Sequence, residues 1–327
     1  MKVLLTGASG LLGRAVLDAF LNRGHTVRAM VRPASDLAHL PGSDRVELFR
    51  CDLRKPVRLD RAFDRIDAVV HLAACVAGDD QTRFASTVIG TEHLLDAMSL
   101  SRTTRLVLAS SFSVYDYSAA GRSIDEQTPL ENGRGLYERD SYAVTKLWQE
   151  RIARRYSRDH GWDLRVVRPG FIWGRGQEWV AGMGQRVGPF RAVVAGLSRP
   201  PLTHAANCAD CFVTVTEHAD AAGQTFNIVD GHGVRTWKYA KDHRRLNEQT
   251  VRSIFVPYWL GLCGAYGARG LSRIVFGSGS RLPSLLNPRH FRARFKPVRC
   301  SPNKLQRMLR WQPPLSYAQC LAKTYGD

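Results

Sequence analysis

Between Glu248 and Asp327 the chain has no acidic residue, while thirteen Lys and Arg fall from Gln249 to Asp327. That stretch holds +12 of a formal net charge of +18, leaving +6 for the first 248 residues. An Arg-rich composition on solvated faces accounts for part of this. A long region of one sign also suits something anionic: a substrate diphosphate, a membrane surface or nucleic acid. No nucleic-acid motif and no basic-aromatic repeat stand in the sequence, so nucleic acid is set aside and an anionic small-molecule substrate preferred.

Other absences narrow the class. No secretory signal opens the chain, since Met1-Lys2 runs directly into Val3-Leu4-Leu5. The uncharged apolar stretch Ile254–Ala268 has 15 residues, with a proline and three glycines. A spanning helix needs roughly 20 apolar residues, so this stretch is expected to form a buried wall of a substrate lobe. The alternative is a patch on a membrane surface, backed by nearby arginines. The seven cysteines are an odd number and point to reduced thiols in a cytoplasmic protein. Cys208-Ala209-Asp210-Cys211 is the one C-x-x-C; with no second pair there is no zinc site, and no metal is expected. There is no internal repeat and no low-complexity tract.

What is present is the composition of a globular chain of 327 residues, 44% hydrophobic, long enough for two lobes. The first half alternates short apolar runs with helical stretches, the pattern of an α/β, Rossmann-type doubly wound parallel sheet. Strands are expected at Lys2–Thr6, Thr26–Val31, Val46–Arg50, Asp67–His71, Arg105–Ala109 and Leu164–Arg168, with Phe226–Val229 rejoining late. A helix is expected over Leu11–Asn22, a long one ending near Met98, and another carrying Tyr142 and capped by Asp140 or Ser141. After Arg168 the rhythm breaks and the tail reads as loop-rich. The expected division is residues 1–172 and 201–230 for nucleotide binding, and 173–200 and 231–327 for a smaller discontinuous substrate lobe.

Thr6-Gly7-Ala8-Ser9-Gly10-Leu11-Leu12-Gly13 follows the first strand and opens the first helix. In that context Gly7 allows a tight turn, Gly10 lets backbone approach a pyrophosphate, and Gly13 lets helix and strand pack closely. The phosphates would meet Ser9 and the first amides of the helix at its positive end. At the end of the second strand stands Val31-Arg32-Pro33, with no acid to bond ribose hydroxyls. Arg32 would pair with a 2′-phosphate, which favours NADP over NAD. Asp52-Leu53 suits contact with an adenine edge. Leu72, Ala73 and Ala74 are small or apolar where backbone must approach the cofactor, and His71 beside them is given no chemistry.

Tyr142 and Lys146 lie four residues apart, one helical turn, in Ser141-Tyr142-Ala143-Val144-Thr145-Lys146. A Lys146 ammonium near the phenol would lower its pKa and equip it to exchange a proton with a substrate oxygen. Ser110-Ser111-Phe112-Ser113-Val114-Tyr115 follows the fifth strand, at the sheet edge where a hydroxyl can hold a substrate carbonyl.

Together these motifs resemble the extended short-chain dehydrogenase/reductase family, also described as NAD-dependent epimerase/dehydratases. The resemblance extends to Gly90-Thr91, to Arg168-Pro169-Gly170-Phe171-Ile172-Trp173-Gly174, to the segment around Asn207 and to Leu309-Arg310-Trp311-Gln312-Pro313. It implies Tyr142 as acid/base, Lys146 as its pKa partner and ribose ligand, Ser111 as the carbonyl-positioning hydroxyl, Ser113 as a second substrate contact and Pro169 beside the cofactor. It also implies a homodimer through helices that include the one bearing Tyr142. Thr87 replaces an asparagine frequent in the family and is expected to touch substrate with part of its hydrogen-bonding capacity. Asp116 replaces a usual glycine. Ser111-Phe112-Ser113 stands where nucleotide-sugar 4,6-dehydratases carry Thr-Asp-Glu, so dehydration is disfavoured.

Three functions follow. The first is an NAD(P)-dependent oxidoreductase or epimerase acting on a nucleotide-diphosphate sugar, its diphosphate held by the basic lobe. The second keeps the fold and takes an apolar ketone or alcohol, because Val256-Pro257-Tyr258-Trp259-Leu260 and the run after it resemble the 3β-hydroxysteroid dehydrogenase and dihydroflavonol-reductase branch. There the basic tail would face a membrane. The third is a non-catalytic NADP-binding scaffold, opposed by the intact Ser111, Tyr142 and Lys146.

Overall fold

A computed structural model describes residues 1–38, 40–247, 251–276 and 286–326. Its centre is a seven-stranded sheet in the order Thr225–Ile228, Asp163–Pro169, Arg105–Ala109, Ala68–His71, Lys2–Thr6, Thr26–Val31, Val46–Arg50. All six pairings are parallel. The expected strands are present with ends moved by a residue or so. Alternation along the first strand explains the two-faced core. Val3 and Leu5 pack with Val16, Phe20 and Phe212 on one side, and Leu4 packs with Leu94, Leu95 and Leu106 on the other.

The first helix is Leu11–Asn22. The long helix after the fourth strand runs as Asp80–Phe84 and Gly90–Ser99, joined through one π-helical turn at Ala85–Ile89. The 20-residue helix Ser141–His160 starts at Asp140, whose carboxylate accepts from the Ala143 amide at 2.9 Å. Tyr142 therefore occupies the first turn, and Lys146 of the same helix reaches Ala109 at the carboxyl end of the fifth strand.

The remainder departs from expectation. Instead of a loop-rich tail, the chain forms the helices Tyr258–Phe276, Pro288–Phe295, Asn303–Leu309 and Tyr317–Tyr325. A three-stranded sheet of Gly184–Val187, Phe190–Val194 and Arg252–Val256 backs the second lobe. Leu305, Leu309 and Trp311 pack into the core of the nucleotide-binding lobe, and Trp311 Nε1 donates to Asp210 at 2.9 Å. Part of the C-terminal segment thus packs against the large sheet. Ile254–Ala268 is not a buried wall: Ala265 and Ser272 alone are buried in the helix Tyr258–Phe276. No helix among the described residues is long and apolar enough to cross a membrane.

Candidate active site

The glycine turn is built for close approach. Gly7 has φ +72°, and a Cβ there would lie 2.9 Å from the Ala73 amide nitrogen. A Cβ on Gly13 would lie 2.0 Å from the Gly7 carbonyl oxygen, so strand and helix touch through backbone alone. Gly10 starts the helix without a capping side chain, and the first turn holds no acid. The amides of Leu11, Leu12 and Gly13 thereby keep their capacity for an anion, with Ser9 alongside. The Ala73 amide donates to Thr6 Oγ1 at 3.2 Å, drawing the half-buried run Leu72-Ala73-Ala74 against the turn. Pro169 is buried at the end of its strand, in register with Ile228. This backbone-lined cradle fits a dinucleotide.

At the second strand's end Val31 is buried and Arg32 exposed. The chain turns there, Ser35 N donating to the Arg32 carbonyl at 2.9 Å, and the Ser35 hydroxyl is buried with no partner. Asp36 spends its carboxylate on the Ala38 amide at 2.9 Å. Asp52 is engaged by Arg54 at 2.6 Å, and Leu53 is buried. Ser35 carries no motif that singles it out in the sequence.

Ser111, Tyr142 and Lys146 come together from the fifth strand's end and one helix. The Ser111 side chain lies within reach of the half-buried Tyr142 and acts on its titration. Burial raises the Tyr142 pKa above the ordinary phenol value, the Ser111 side chain draws it down, and Asp140 adds a small upward push. The expected lowering by Lys146 is corrected here. The Lys146 ammonium donates instead to the Ala109 carbonyl at 2.5 Å and to Gln149 Oε1 at 2.6 Å. Burial brings its pKa to about 7 against an opposing pull from Glu150. Ser113 gives its amide to Ser111 Oγ at 3.1 Å and leaves its own buried hydroxyl unpartnered.

Under this site lies a polar network that motif reading passes over. Gln149 Nε2 donates to Thr91 Oγ1 at 2.8 Å and to the Ala73 carbonyl at 3.2 Å. His71 bridges Thr6 and Thr91 through its two ring nitrogens at 2.6 and 2.8 Å. Burial, then the nearby Lys146 charge, lowers its pKa to about 3, so it is a neutral strut. Glu150 accepts from Ser110 at 2.7 Å and from Arg168 at 2.5 Å, while Arg168 also donates to the Tyr115 hydroxyl at 3.0 Å. Position four after Lys146, on the same helical face, is the signal that marks Glu150 in the sequence.

Thr87 is a second correction. It is buried in the π-helical turn, where its hydroxyl accepts from the Cys75 amide at 3.0 Å and so anchors the loop after the fourth strand. Asp116 caps the Ser118 amide at 2.7 Å and meets Arg289 at 3.5 Å. Asn207 is a tie, exchanging two hydrogen bonds with the Leu315 backbone. Cys208 and Cys211 are buried in their helix with pKa values raised by burial, an inert state for thiols.

Several known proteins are similar to this chain. Sterol demethylase protein B of Methylococcus capsulatus is 35% identical over 179 residues, covering 53% of this chain and 52% of that protein. A 3 beta-hydroxysteroid dehydrogenase/Delta 5-->4-isomerase of Mycobacterium tuberculosis is 32% identical over 189 residues, covering 54% of this chain and 48% of that protein. The chain thus spans about half the length of these curated relatives. Among solved structures, UDP-Glucuronic acid 4-epimerase from Bacillus cereus, in complex with UDP-Glucuronic acid and NAD, superposes with a TM-score of 0.73. The match covers 99% of this chain and 98% of that one at 19% identity, a likeness of fold. Residues 3–229, which include the glycine turn and Ser111, Tyr142 and Lys146, match one family over more than half of the chain, and this protein belongs to it: the NAD dependent epimerase/dehydratase family.

Proposed function

We propose that the chain is an NADP-preferring oxidoreductase that interconverts a secondary alcohol and a ketone on a predominantly apolar substrate. The observation that carries the chemistry is the pairing of the Ser111 side chain with the Tyr142 phenol, whose pKa it draws down against burial. The bound nicotinamide supplies or accepts the hydride. Ser111 holds the substrate oxygen, and Tyr142 gives that oxygen a proton in reduction and takes it back in oxidation. Burial keeps Tyr142 protonated, the state required of the donor. The Lys146 ammonium is held by Gln149 and the Ala109 carbonyl, and Ser113 offers a hydroxyl to the substrate.

The sugar-diphosphate reading loses support where it was strongest, in the basic lobe. Arg289 binds Glu131 at 3.0 Å, and Arg269 binds Glu138 at 3.0 Å. Lys296 and Lys304 donate to backbone carbonyls. These cations are neutralised or satisfied internally. Relatives named for steroid and for 2-alkyl-3-oxoalkanoate substrates favour an apolar ketone. The unpartnered Ser35 hydroxyl beside Arg32 favours a 2′-phosphate.

The test is oxidation of NADPH and of NADH against one panel of apolar ketones and UDP-sugars, with wild type and Tyr142→Phe. Turnover of an apolar ketone with NADPH, lost in Tyr142→Phe while NADPH still binds, supports the reading. Turnover of UDP-sugars alone restores the first reading. NADPH binding with no turnover across the panel leaves the scaffold.

A further inference from the structure

The helix Tyr258–Phe276 is turned inside out. A helix packed on a lobe ordinarily hides its apolar stripe and shows water a polar face. At about 100° per residue, Trp259, Leu260, Cys263, Leu271, Ile274 and Val275 share one side of this helix. All six are exposed, and no charged residue stands among them on that side. The inner side holds the buried Ala265 and Ser272, and it packs on Pro288–Phe295, where Gly261 lies against the Phe291 ring. Charge sits at the border: Arg273 is exposed, and Arg269 reaches back to Glu138.

We propose that this face lies in the surface of an anionic lipid bilayer, with the helix in the membrane plane. Three observations select that occupant. The helix has 19 residues and is not long and apolar enough to cross a membrane, so any contact it makes with a bilayer is along its surface. Trp259 and Tyr266 place amphipathic rings along the stripe, suited to the headgroup level. The third is charge. Residues 249–326 contain thirteen basic residues and no acid. A second copy docking on this face would bring two such regions together, like charge against like. Arg269, Arg289, Lys296 and Lys304 are engaged internally. An anionic leaflet supplies counter-charge to exposed cations that remain, such as Arg252, Arg299 and Arg273, the last at the edge of the face. The proposal concerns where the protein sits and does not depend on its chemistry.

The test is co-sedimentation of the full chain, without cofactor or substrate, with two kinds of vesicle. One is phosphatidylcholine alone; the other contains about one-third phosphatidylserine. Leu271 is 63% and Ile274 83% exposed, so the double variant Leu271→Glu/Ile274→Glu disturbs no packing and should keep the wild-type melting temperature. Wild type is expected on the anionic vesicles, with roughly tenfold or greater loss in the double variant. Arg273→Gln is expected to lose about fivefold on anionic vesicles and little on neutral ones. Equal partitioning of wild type and double variant, or no binding by wild type, overturns the proposal. Self-association in sedimentation velocity that the double variant abolishes, without vesicle binding, assigns the face to a second copy instead.

Discussion

The Lys146 ammonium lies 2.6 Å from the Gln149 amide oxygen, and Gln149 in turn bonds Thr91 and the Ala73 carbonyl. One neutral side chain thereby fixes the amine relative to the loop that lines the cofactor cradle. Gln149→Leu removes an acceptor from a buried cation, at a cost of about 1–3 kcal/mol. The melting temperature should fall by several degrees, roughly 2–4 °C for each kcal/mol in a chain this long. The Lys146 pKa, already lowered by burial to about 7, should fall further. Gln149→Glu should raise it, because a carboxylate favours the charged amine. The measurement is the pH profile of NADPH turnover in all three proteins. Profiles that superimpose would show that Gln149 only packs.

Two glycines of the turn separate folding from binding. A Cβ at Gly13 would meet backbone oxygen at 2.0 Å and the Ala8 Cα at 2.8 Å, contacts that no rotamer relieves. Gly13→Ala should therefore lose several kcal/mol, about 3 or more, by overpacking a rigid backbone contact. A Cβ at Gly10 meets only the Gly7 carbonyl oxygen, at 3.4 Å, so Gly10→Ala should fold normally. It should still bind NADPH about tenfold more weakly, since the methyl group stands where the pyrophosphate must approach. Thermal melting and nucleotide titration of both variants decide this. Normal NADPH affinity in Gly10→Ala would move the phosphates away from that turn.

Legibility in the sequence tracks how local each determinant is. Lys2–Thr6 is read to the residue because an apolar run ends at a glycine turn. Ser111, Tyr142 and Lys146 are readable because short spacings and strand ends place them. Gln149 is not: its partners His71, Ala73 and Thr91 come from distant segments, and only the fold brings them near. The pKa of Tyr142 escapes for the same reason, since helical spacing puts Lys146 on its face but not its ammonium on its oxygen. The helix Tyr258–Phe276 escapes because glycine recurs every third residue from Gly261 to Gly270, and because its apolar side faces outward. Glycine lowers helix propensity by about 1 kcal/mol each.

Arg32 and Ser35 predict cofactor choice. Both belong to the turn after the second strand, one an exposed cation and the other a buried hydroxyl without a partner. Arg32→Ala should raise the Kd for NADPH by roughly ten- to a hundredfold, as expected for a charge-assisted contact worth about 1.5–3 kcal/mol. The Kd for NADH should change little. Ser35→Ala should give a smaller loss, again confined to NADPH. Fluorescence titration of both reduced nucleotides is the measurement. Equal losses for NADPH and NADH would place Arg32 on the shared part of the cofactor and remove the basis for an NADP preference.

Glu150 ties stability to pH. Burial pushes its carboxyl up, but Arg168, through a hydrogen bond and its charge, together with Arg154 and Ser110, holds it at about 2 against an ordinary value of 4.5. Between those values the unfolded chain binds the proton and the native state does not. The stability contributed by this group is therefore complete above about pH 4.5 and is lost as pH falls toward 2. Glu150→Gln should leave the buried Arg168 guanidinium uncompensated and cost about 3–5 kcal/mol at neutral pH. It should also flatten the fall in melting temperature between pH 5 and pH 2, because the titrating group is gone. Melting curves of wild type and variant at pH 7, 5, 4 and 3 separate the two effects. A variant that loses stability at pH 7 yet keeps the wild-type acid slope would show that another carboxylate governs acid unfolding, and that Glu150 matters only through its packing under the fifth and sixth strands.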